Sequence, residues 1–219
     1  MKTIVDDGFA PYLVKGAKFA GKYQIPILLK QKISLPKDFD LVAFNERKNA
    51  KNKKHKSIHF YMHDIMFKQV ITSTKRYIND FKEYGYVITP DCSLYLDQPL
   101  CLQIVNTYLN RAVGFFLQQN GIKVIPNIRW GDERTYEFCF EGAPKNYIIS
   151  VSTLGCIRSY EEKYYFKKGL KEAIRVLKPK IIIVHGAAPK EVFKEFMKQT
   201  KFIFFESSTS RRRRKQNGK

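Results

Sequence analysis

The chain has 219 residues, 44% of them hydrophobic and 14% aromatic, which is enough for one globular domain with a sizeable core. Its 40 Lys and Arg residues outnumber its 20 Asp and Glu residues and give a net charge of +20 at pH 7, which is high for an enzyme of small metabolites. No apolar run approaches the roughly 20 residues that span a bilayer, and acidic residues replace the apolar segment of a signal peptide, so we expect a cytoplasmic protein without a membrane partner.

The order of apolar and polar runs divides the chain into three predicted segments. Residues 1–36 lack clear periodicity and contain several Gly and Pro residues, so we expect an extended lead-in that packs on the domain. Residues 37–206 alternate apolar runs with helical patterns and are predicted to form a single α/β domain. Residues 207–219 are predicted to form a disordered basic tail.

Short apolar runs predict about seven strands in the domain. They cover, in chain order, residues 41–45, 58–63, 86–89, 123–128, 147–151, 181–184 and 202–205. Apolar residues at three- and four-residue spacing predict helices over residues 65–84, 99–119, 160–177 and 189–199. The first helix is expected to break near Ser73, and Lys178-Pro179 is expected to end the third.

The alternation of continuous apolar strands with helices predicts a mostly parallel sheet that is covered on both faces. A closed barrel of eight strands usually needs about 250 residues, so we expect an incomplete or irregular TIM-barrel-like α/β fold. An open doubly wound sheet is the alternative, but polar residues end every strand instead of clustering at one switch point. Either arrangement brings the carboxyl ends of the strands, and the polar residues that follow them, to one edge.

Three residues at these strand ends are candidates for catalysis: Asp91, Asp132 and His185. Asp91 follows Pro90, which ends a strand, and its carboxylate could bind a metal ion or act as a general base. The alternative is that Asp91 accepts hydrogen bonds from loop amides. Asp132 could share the roles of Asp91, and His185 is an acid/base candidate because imidazole titrates near neutral pH. The sequence identifies no cofactor, although the two carboxylates would suit a divalent cation.

Five further residues are candidates for binding a substrate: Ser93, Trp130, Glu141, Ser152 and Thr153. An indole at a strand end can stack on a base or a sugar, although Trp130 could equally fill the core. Ser152 and Thr153 could present hydroxyls to a phosphate or form a tight turn between strand and helix. The chain contains no Walker motif and no dinucleotide-binding glycine motif, so specific nucleotide binding is not predicted.

Positive charge is concentrated in two segments that predict contact with nucleic acid. Neither segment has apolar neighbours in sequence on which to pack, so both are expected to be mobile. The candidate phosphate contacts are Arg47, Lys48, Lys51, Lys53, Lys54, Lys56, Arg211, Arg212, Arg213 and Arg214. The alternative is a compositional bias toward lysine, which raises the charge without a binding role.

Residues 25–200 contain a series of ordered motifs that resembles a known family. The motifs cover residues 90–99, 103–108, 121–126, 130–132, 138–142, 144–146 and 151–155. Together they look like the domain-of-unknown-function family 4417, found in phages, plasmids and other bacterial mobile elements. The resemblance implies a mobile-element context, and therefore a bacterial host cell, but no established activity.

These observations lead to three hypotheses for function. The first is a phage or mobile-element protein that binds nucleic acid through its basic segments, with a polar pocket at the strand ends. The second is a cytosolic hydrolase or nuclease that acts through the three catalytic candidates. The third is a non-enzymatic accessory protein that recruits a host or phage partner through the aromatic residues Tyr160, Tyr164 and Tyr165.

Overall fold

The computed structural model describes residues 10–207. The four tail arginines that the sequence predicts to contact nucleic acid, at positions 211–214, therefore lie outside the described residues. Within residues 10–207, no helix combines the length and the hydropathy needed to cross a membrane.

The described part of the predicted lead-in contributes to the hydrophobic core. It contains a 3₁₀ helix, Pro11–Val14, and a short antiparallel hairpin of β1 (Phe19–Ala20) and β2 (Ile25–Pro26). Leu13 and Ile25 are almost fully buried, because both elements pack on the longest helix of the described chain. The division of the chain into lead-in, domain and tail stays a prediction.

Seven strands follow, and each runs parallel to its neighbours, as the continuous apolar runs predict. They are β3 (Asp40–Ala43), β4 (Lys56–His59), β5 (Tyr86–Ile88), β6 (Val124–Ile125), β7 (Ile148–Ser152), β8 (Ile181–His185) and β9 (Lys201–Phe205). Strands β3 to β6 form one sheet in chain order, and strands β7 to β9 form a second sheet in chain order. A doubly wound sheet would reverse its order at a switch point, and neither sheet does.

The two parallel sheets meet at a single backbone bridge between Asn127 and Ser150. The amide of Ile128 donates to the Ser150 carbonyl at 2.9 Å, and the Ser150 amide donates to the Pro126 carbonyl at 2.8 Å. Among residues 10–207 no strand pairing joins β9 back to β3, so a closed barrel is not observed. The mixed α/β class with mostly parallel strands is confirmed, and the incomplete or irregular TIM-barrel-like arrangement stays a prediction.

Buried side chains from both parallel sheets form one shared cluster. Its fully buried apolar members come from β3, β5, β6, β7 and β8 and include Leu41, Ile88, Ile125, Ile148 and Ile183. Two larger clusters lie on the outer faces of the sheets, where the helices cover them. Strands β4 to β8 are therefore mostly buried on both faces, which explains why they lack the alternation of a half-exposed strand, whereas β9 is partly exposed.

The connections between the strands contain five α-helices. They are α1 (Lys68–Thr72), α2 (Ile78–Lys82), α3 (Leu100–Gln119), α4 (Tyr160–Leu177) and α5 (Lys190–Phe193). The predicted third helix is confirmed as α4, which begins with a capping box between Ser159 and Glu162 and ends before Lys178-Pro179. The predicted first helix breaks at Ser73, where the Thr74 hydroxyl donates to the Val70 carbonyl at 2.6 Å and competes with the backbone ladder.

Arg111 joins α3 to the chain that follows β6. Its side chain is 1% exposed, and its guanidinium donates to the main-chain carbonyls of Asn127 at 3.1 Å, Cys139 at 3.0 Å and Glu141 at 3.1 Å. Burial lowers the pKa of Arg111 to about 10. The planar fork of donors is the feature that allows one side chain to satisfy several carbonyls at once.

We therefore predict that Arg111→Lys lowers the free energy of unfolding by about 2–5 kcal/mol, because one ammonium cannot reach all of these carbonyls and leaves buried acceptors unsatisfied. Urea denaturation measures the loss. The matched control is Arg175→Lys, whose side chain is 70% exposed and pairs with Glu172 on the surface of α4. The control should stay within about 0.5 kcal/mol of the original protein, and equal losses in the two variants would contradict the role of Arg111.

Candidate functional site

A cavity of about 590 Å³ lies where the carboxyl ends of the parallel strands meet. Its wall is built from the segments that follow β4, β5, β6 and β7, because these strands all point the same way. Four of the residues predicted from the sequence line it: Asp91, Ser93, Trp130 and Ser152. The size of the cavity suits a small organic ligand or a single nucleotide.

The cavity is polar at its base because the inward side chains of β7 and β8 are apolar at the amino end of the strand and polar at its carboxyl end. On β8, the inward residues are Ile181 and Ile183 near the amino end and His185 at the carboxyl end. On β7, Ile148 is followed on the same face by Ser150 and Ser152. Apolar side chains thus fill the amino half of the space between the strands, and polar side chains fill the carboxyl half.

A buried ion pair between Asp91 and Arg129 forms the base of the cavity. Oδ1 of Asp91 accepts from Nε of Arg129, Oδ2 accepts from Nη2, and both distances are 2.7 Å. Nδ2 of Asn127 donates to Oδ1 of Asp91, also at 2.7 Å. A carboxylate offers about four acceptor positions, so these contacts leave about one for a ligand.

Arg129 extends the ion pair to the segment that follows β7. Its Nη1 donates to the Ser152 carbonyl at 3.2 Å and to Sγ of Cys156 at 2.9 Å. Burial alone would lower the pKa of Arg129, but the Asp91 carboxylate outweighs this effect and raises the pKa well above its usual value. The arginine is therefore charged throughout the physiological pH range.

The sequence analysis did not single out Arg129 as a site residue. The available signal was its position directly after the strand of residues 123–128 and before Trp130. Carboxylates and aromatic rings at strand ends were the predicted site residues, and basic residues were predicted to contact phosphates on the surface. A basic residue between two buried apolar residues is rarely buried without an acidic partner, and this rule would have linked Arg129 to Asp91.

His185 lies beneath the cavity in a network of buried polar side chains. Its ring stacks on Tyr61 with the ring centroids 4.7 Å apart, and its centroid is 4.6 Å from that of His59. The hydroxyl of Tyr61 is 2.5 Å from Oγ of Ser150. Burial, followed by the charge of Asp91, raises the pKa of Tyr61, so the phenol is neutral.

Two contacts connect this network of buried polar side chains to the base of the cavity. Oγ of Ser152 is 3.4 Å from Nδ1 of His185, and the hydroxyl of Tyr61 donates to Oδ1 of Asn127 at 3.2 Å. Asn127 in turn donates to Asp91. The structure thus brings together two of the three catalytic candidates, Asp91 and His185, through a chain of polar groups.

The remaining members of the predicted site have other neighbours. Asp132 caps a 3₁₀ turn and pairs with Arg134, whose hydrogen bond lowers the pKa of Asp132. The Thr153 hydroxyl donates to the Ala187 carbonyl at 2.7 Å. The carboxylate of Glu141 lies against the backbone of Gly21. None of these three residues is among those that line the cavity.

Trp130 lines the cavity with one edge and packs against α4 with the rest of its ring. The side chain is 8% exposed, and a Cβ placed on Gly169 would lie only 2.2 Å from the indole. Phe166 packs beside it with a centroid separation of 5.3 Å. Most of the indole surface is therefore used within the core. Ser93 is also engaged, because its hydroxyl donates to Asp64 at 2.8 Å.

No group of three or more His, Cys, Asp or Glu side chains within residues 10–207 is arranged to hold a metal ion. The carboxylates of Asp91 and Asp132, which were considered together as cation ligands, are each bound to a different arginine.

The basic segment of residues 47–56 packs on the domain, so the expectation that it cannot pack is wrong. The guanidinium of Arg47 lies 4.2 Å from the ring centroid of Phe44 and forms an ion pair with Asp80 at 3.1 Å. Lys53 pairs with Glu83, and Lys56 lies 3.9 Å from Asp40. These aromatic and acidic partners are distant in sequence, apart from Phe44, and local composition could not reveal them.

The other members of the segment are more exposed. Lys48 and Lys51 are exposed, and Nζ of Lys54 donates to the Lys82 carbonyl at 2.9 Å. Of the aromatic residues in the third hypothesis, Tyr160 and Tyr164 are exposed, at 87% and 46%, whereas Tyr165 lines the cavity.

We predict that Asp91→Asn lowers the free energy of unfolding by about 3–5 kcal/mol, because it leaves the charge of Arg129 buried without a counter-ion. The second change Arg129→Met in the same chain should recover part of this loss, since it removes the unpaired charge. Urea denaturation of the two single variants and the double variant measures the coupling. Additive losses would show that the two side chains do not depend on each other.

Comparison with known proteins identifies a family for the chain. A family model described as "Domain of unknown function (DUF4417)" matches residues 17–206. Over 130 residues, the chain is 32% identical to the Gene 1 protein of Mycobacterium phage L5 and 31% identical to the Gene 1 protein of Mycobacterium phage D29.

These two matches cover 59% of this chain and 57% and 48% of the relatives, so the chain spans about half the length of the curated relatives it matches. No solved structure matches the chain. The family match covers most of the chain and confirms the resemblance seen in its motifs. The chain belongs to the DUF4417 family, whose domain has no known function.

Proposed function

We propose that this member of a phage protein family associates with nucleic acid through exposed basic side chains, in the cytoplasm of a bacterial host. The cavity at the carboxyl ends of the strands holds a separate, small polar ligand. Nucleic acid carries closely spaced phosphate charges along its backbone, and their attraction to Lys and Arg requires no sequence-specific contact.

The charge balance of the described residues carries this proposal. Residues 10–207 contain 33 Lys and Arg and 18 Asp and Glu, a surplus of 15 positive charges. At least eleven of the 18 acidic side chains form ion pairs within the described chain. The acidic groups are thus largely neutralised by nearby basic groups, and the surplus of positive charge remains on exposed lysines.

The proposal treats the two parallel sheets as an incomplete barrel with the cavity at its mouth. Two contacts across the barrel support this view. His59 on β4 and His185 on β8 are neighbours although they belong to different sheets. The ring of Phe39, just before β3, is 5.7 Å from that of Phe205 at the end of β9. In barrels of this type the ligand site lies at the carboxyl ends of the strands.

The expected result is salt-dependent binding of nucleic acid by the full chain. Fluorescence anisotropy with a labelled DNA duplex should show binding at about 50 mM salt and a loss of roughly tenfold or more in affinity at about 200 mM salt. A variant in which the four tail arginines are changed to Gln measures how much of the affinity depends on the tail: Arg211→Gln, Arg212→Gln, Arg213→Gln and Arg214→Gln. Absence of binding at low salt, or an affinity that does not change with salt, would contradict the proposal.

A second candidate function, hydrolysis at the cavity, is favoured by one specific observation. Ser152 lines the cavity, its hydroxyl lies next to His185, and the carboxylate of Asp91 belongs to the same polar network. In this hypothesis His185 moves a proton, and Asp91 holds Arg129 at the base of the cavity. Asp132, which the sequence grouped with them, pairs with Arg134, does not line the cavity and would take no part in the reaction.

If this candidate is correct, His185→Gln should lower turnover by about 100-fold or more, because glutamine keeps a hydrogen-bonding amide but cannot transfer a proton at neutral pH. Asp132→Asn is the control and should leave turnover nearly unchanged. Release of fragments from labelled DNA and RNA, and hydrolysis of chromogenic phosphate esters, are the assays. Equal turnover in the His185→Gln variant and the original protein would exclude the role of His185.

A further inference from the structure

Lysines cluster at the edge of the parallel sheets opposite the cavity, where the strands begin. We call this edge the amino edge and define it by six exposed lysines: Lys54, Lys123, Lys145, Lys178, Lys180 and Lys201. Each stands at the first residue of a strand or within three residues before it. Since neighbouring strands are about 4.8 Å apart and run parallel, residues at the starts of successive strands lie along the same edge.

Backbone contacts hold the lysines of the second sheet together. Ile181 on β8 is in register with Lys201 on β9. The amide of Lys180 donates to the Tyr147 carbonyl at 2.9 Å, and the amide of Asn146 donates to the Leu177 carbonyl at 2.8 Å. The lysines at positions 145, 178, 180 and 201 therefore belong to adjacent turns of the chain on one rigid support.

The acidic side chains of this edge are already paired. Asp38 pairs with His55, Asp40 with Lys56, and Glu83 with Lys53. None of the six lysines of the amino edge forms an ion pair within residues 10–207. A set of exposed ammonium groups without acidic partners raises the local positive potential and attracts anions.

A shallow, open depression of about 610 Å³ adjoins the lysines of the second sheet. It is bordered by three lysines, by two polar residues and by three apolar side chains: Lys180, Lys198, Lys201, Gln199, Thr200, Met197, Phe202 and Phe204. A wide, shallow surface of this kind suits an extended polymer better than a small molecule, which needs an enclosed site.

The cavity at the other end of the strands has the opposite charge. Its lining includes the acidic residues Asp64, Asp91, Asp97 and Glu162 and the two arginines Arg129 and Arg158. Arg129 is neutralised by Asp91, so the remaining acidic side chains outnumber the basic ones. The amino edge therefore attracts a phosphate backbone more strongly than the mouth of the cavity does.

We propose that the amino edge is a binding surface for the phosphate backbone of duplex nucleic acid, independent of base sequence. The inference rests on the proposed association with nucleic acid and identifies the surface responsible for it. A duplex fits because ammonium groups along one edge can contact the phosphate backbone without reaching the bases. The basic segment contributes through Lys54, and not through Lys48 and Lys51.

Two triple variants with the same change in net charge test the inference. The amino-edge variant carries Lys145→Gln, Lys180→Gln and Lys201→Gln. The control variant carries Lys48→Gln, Lys51→Gln and Lys171→Gln, all at exposed positions elsewhere. Binding of a labelled DNA duplex by the full chain is measured by anisotropy over a series of salt concentrations.

The amino-edge variant should bind about tenfold more weakly at about 100 mM salt, and the slope of affinity against salt should fall by about two to three, one for each lost phosphate contact. The control should stay within about twofold of the original protein. If the amino-edge variant has a lowered melting temperature, a second variant with Lys54→Gln, Lys123→Gln and Lys178→Gln should give the same loss of affinity.

Equal losses in the two triple variants, with binding by the original protein intact, would overturn the amino edge as the site and leave the association with nucleic acid standing. A larger loss in the control would assign binding to the basic segment instead. Tighter binding to phosphatidylserine vesicles than to the duplex would overturn nucleic acid as the partner of this surface. Absence of duplex binding by the original protein would overturn both the surface and the proposed function.

Discussion

The ion pair between Asp91 and Arg129 connects the parts of the molecule that backbone hydrogen bonds connect only weakly. The two parallel sheets share one bridge, between Asn127 and Ser150. Asp91 follows β5 in the first sheet, and Arg129 reaches the segment after β7 in the second. A buried ion pair contributes little net stability when compared with apolar packing, but losing either partner is costly, so it favours arrangements of the sheets that keep the two side chains together. Both partners of the pair line the cavity.

The molecule has two charged regions, and they lie at opposite ends of the parallel strands. Polar side chains collect at the carboxyl ends of the strands, where Asp91, Arg129 and His185 share one network. Lysines collect at the amino ends, where the acidic neighbours are already paired. A macromolecular anion and a small ligand would thus meet different ends of the same strands. Under the proposed function, binding of the first would not block access to the second.

Much of the fold could be predicted from local patterns. The spacing of apolar residues gave the bounds of α3 and α4 closely, and the continuous apolar runs gave the parallel strands. The roles of Arg111 and Arg129 could not be predicted this way, because their partners are main-chain carbonyls and a carboxylate far away in sequence. The packing of Arg47 against Phe44 and Asp80 was missed for the same reason. Local composition describes what a residue prefers, and only the folded chain determines what it contacts.

The strand order has a consequence for how the protein is made. In both parallel sheets, each strand pairs with the strand that precedes it in the chain. During synthesis on the ribosome, a newly emerged strand therefore finds its partner already present, and each addition closes only one crossover connection. Assembly can proceed from the first sheet to the second in the direction of translation. The Asn127–Ser150 bridge is then the step at which the growing second sheet is joined to the completed first one.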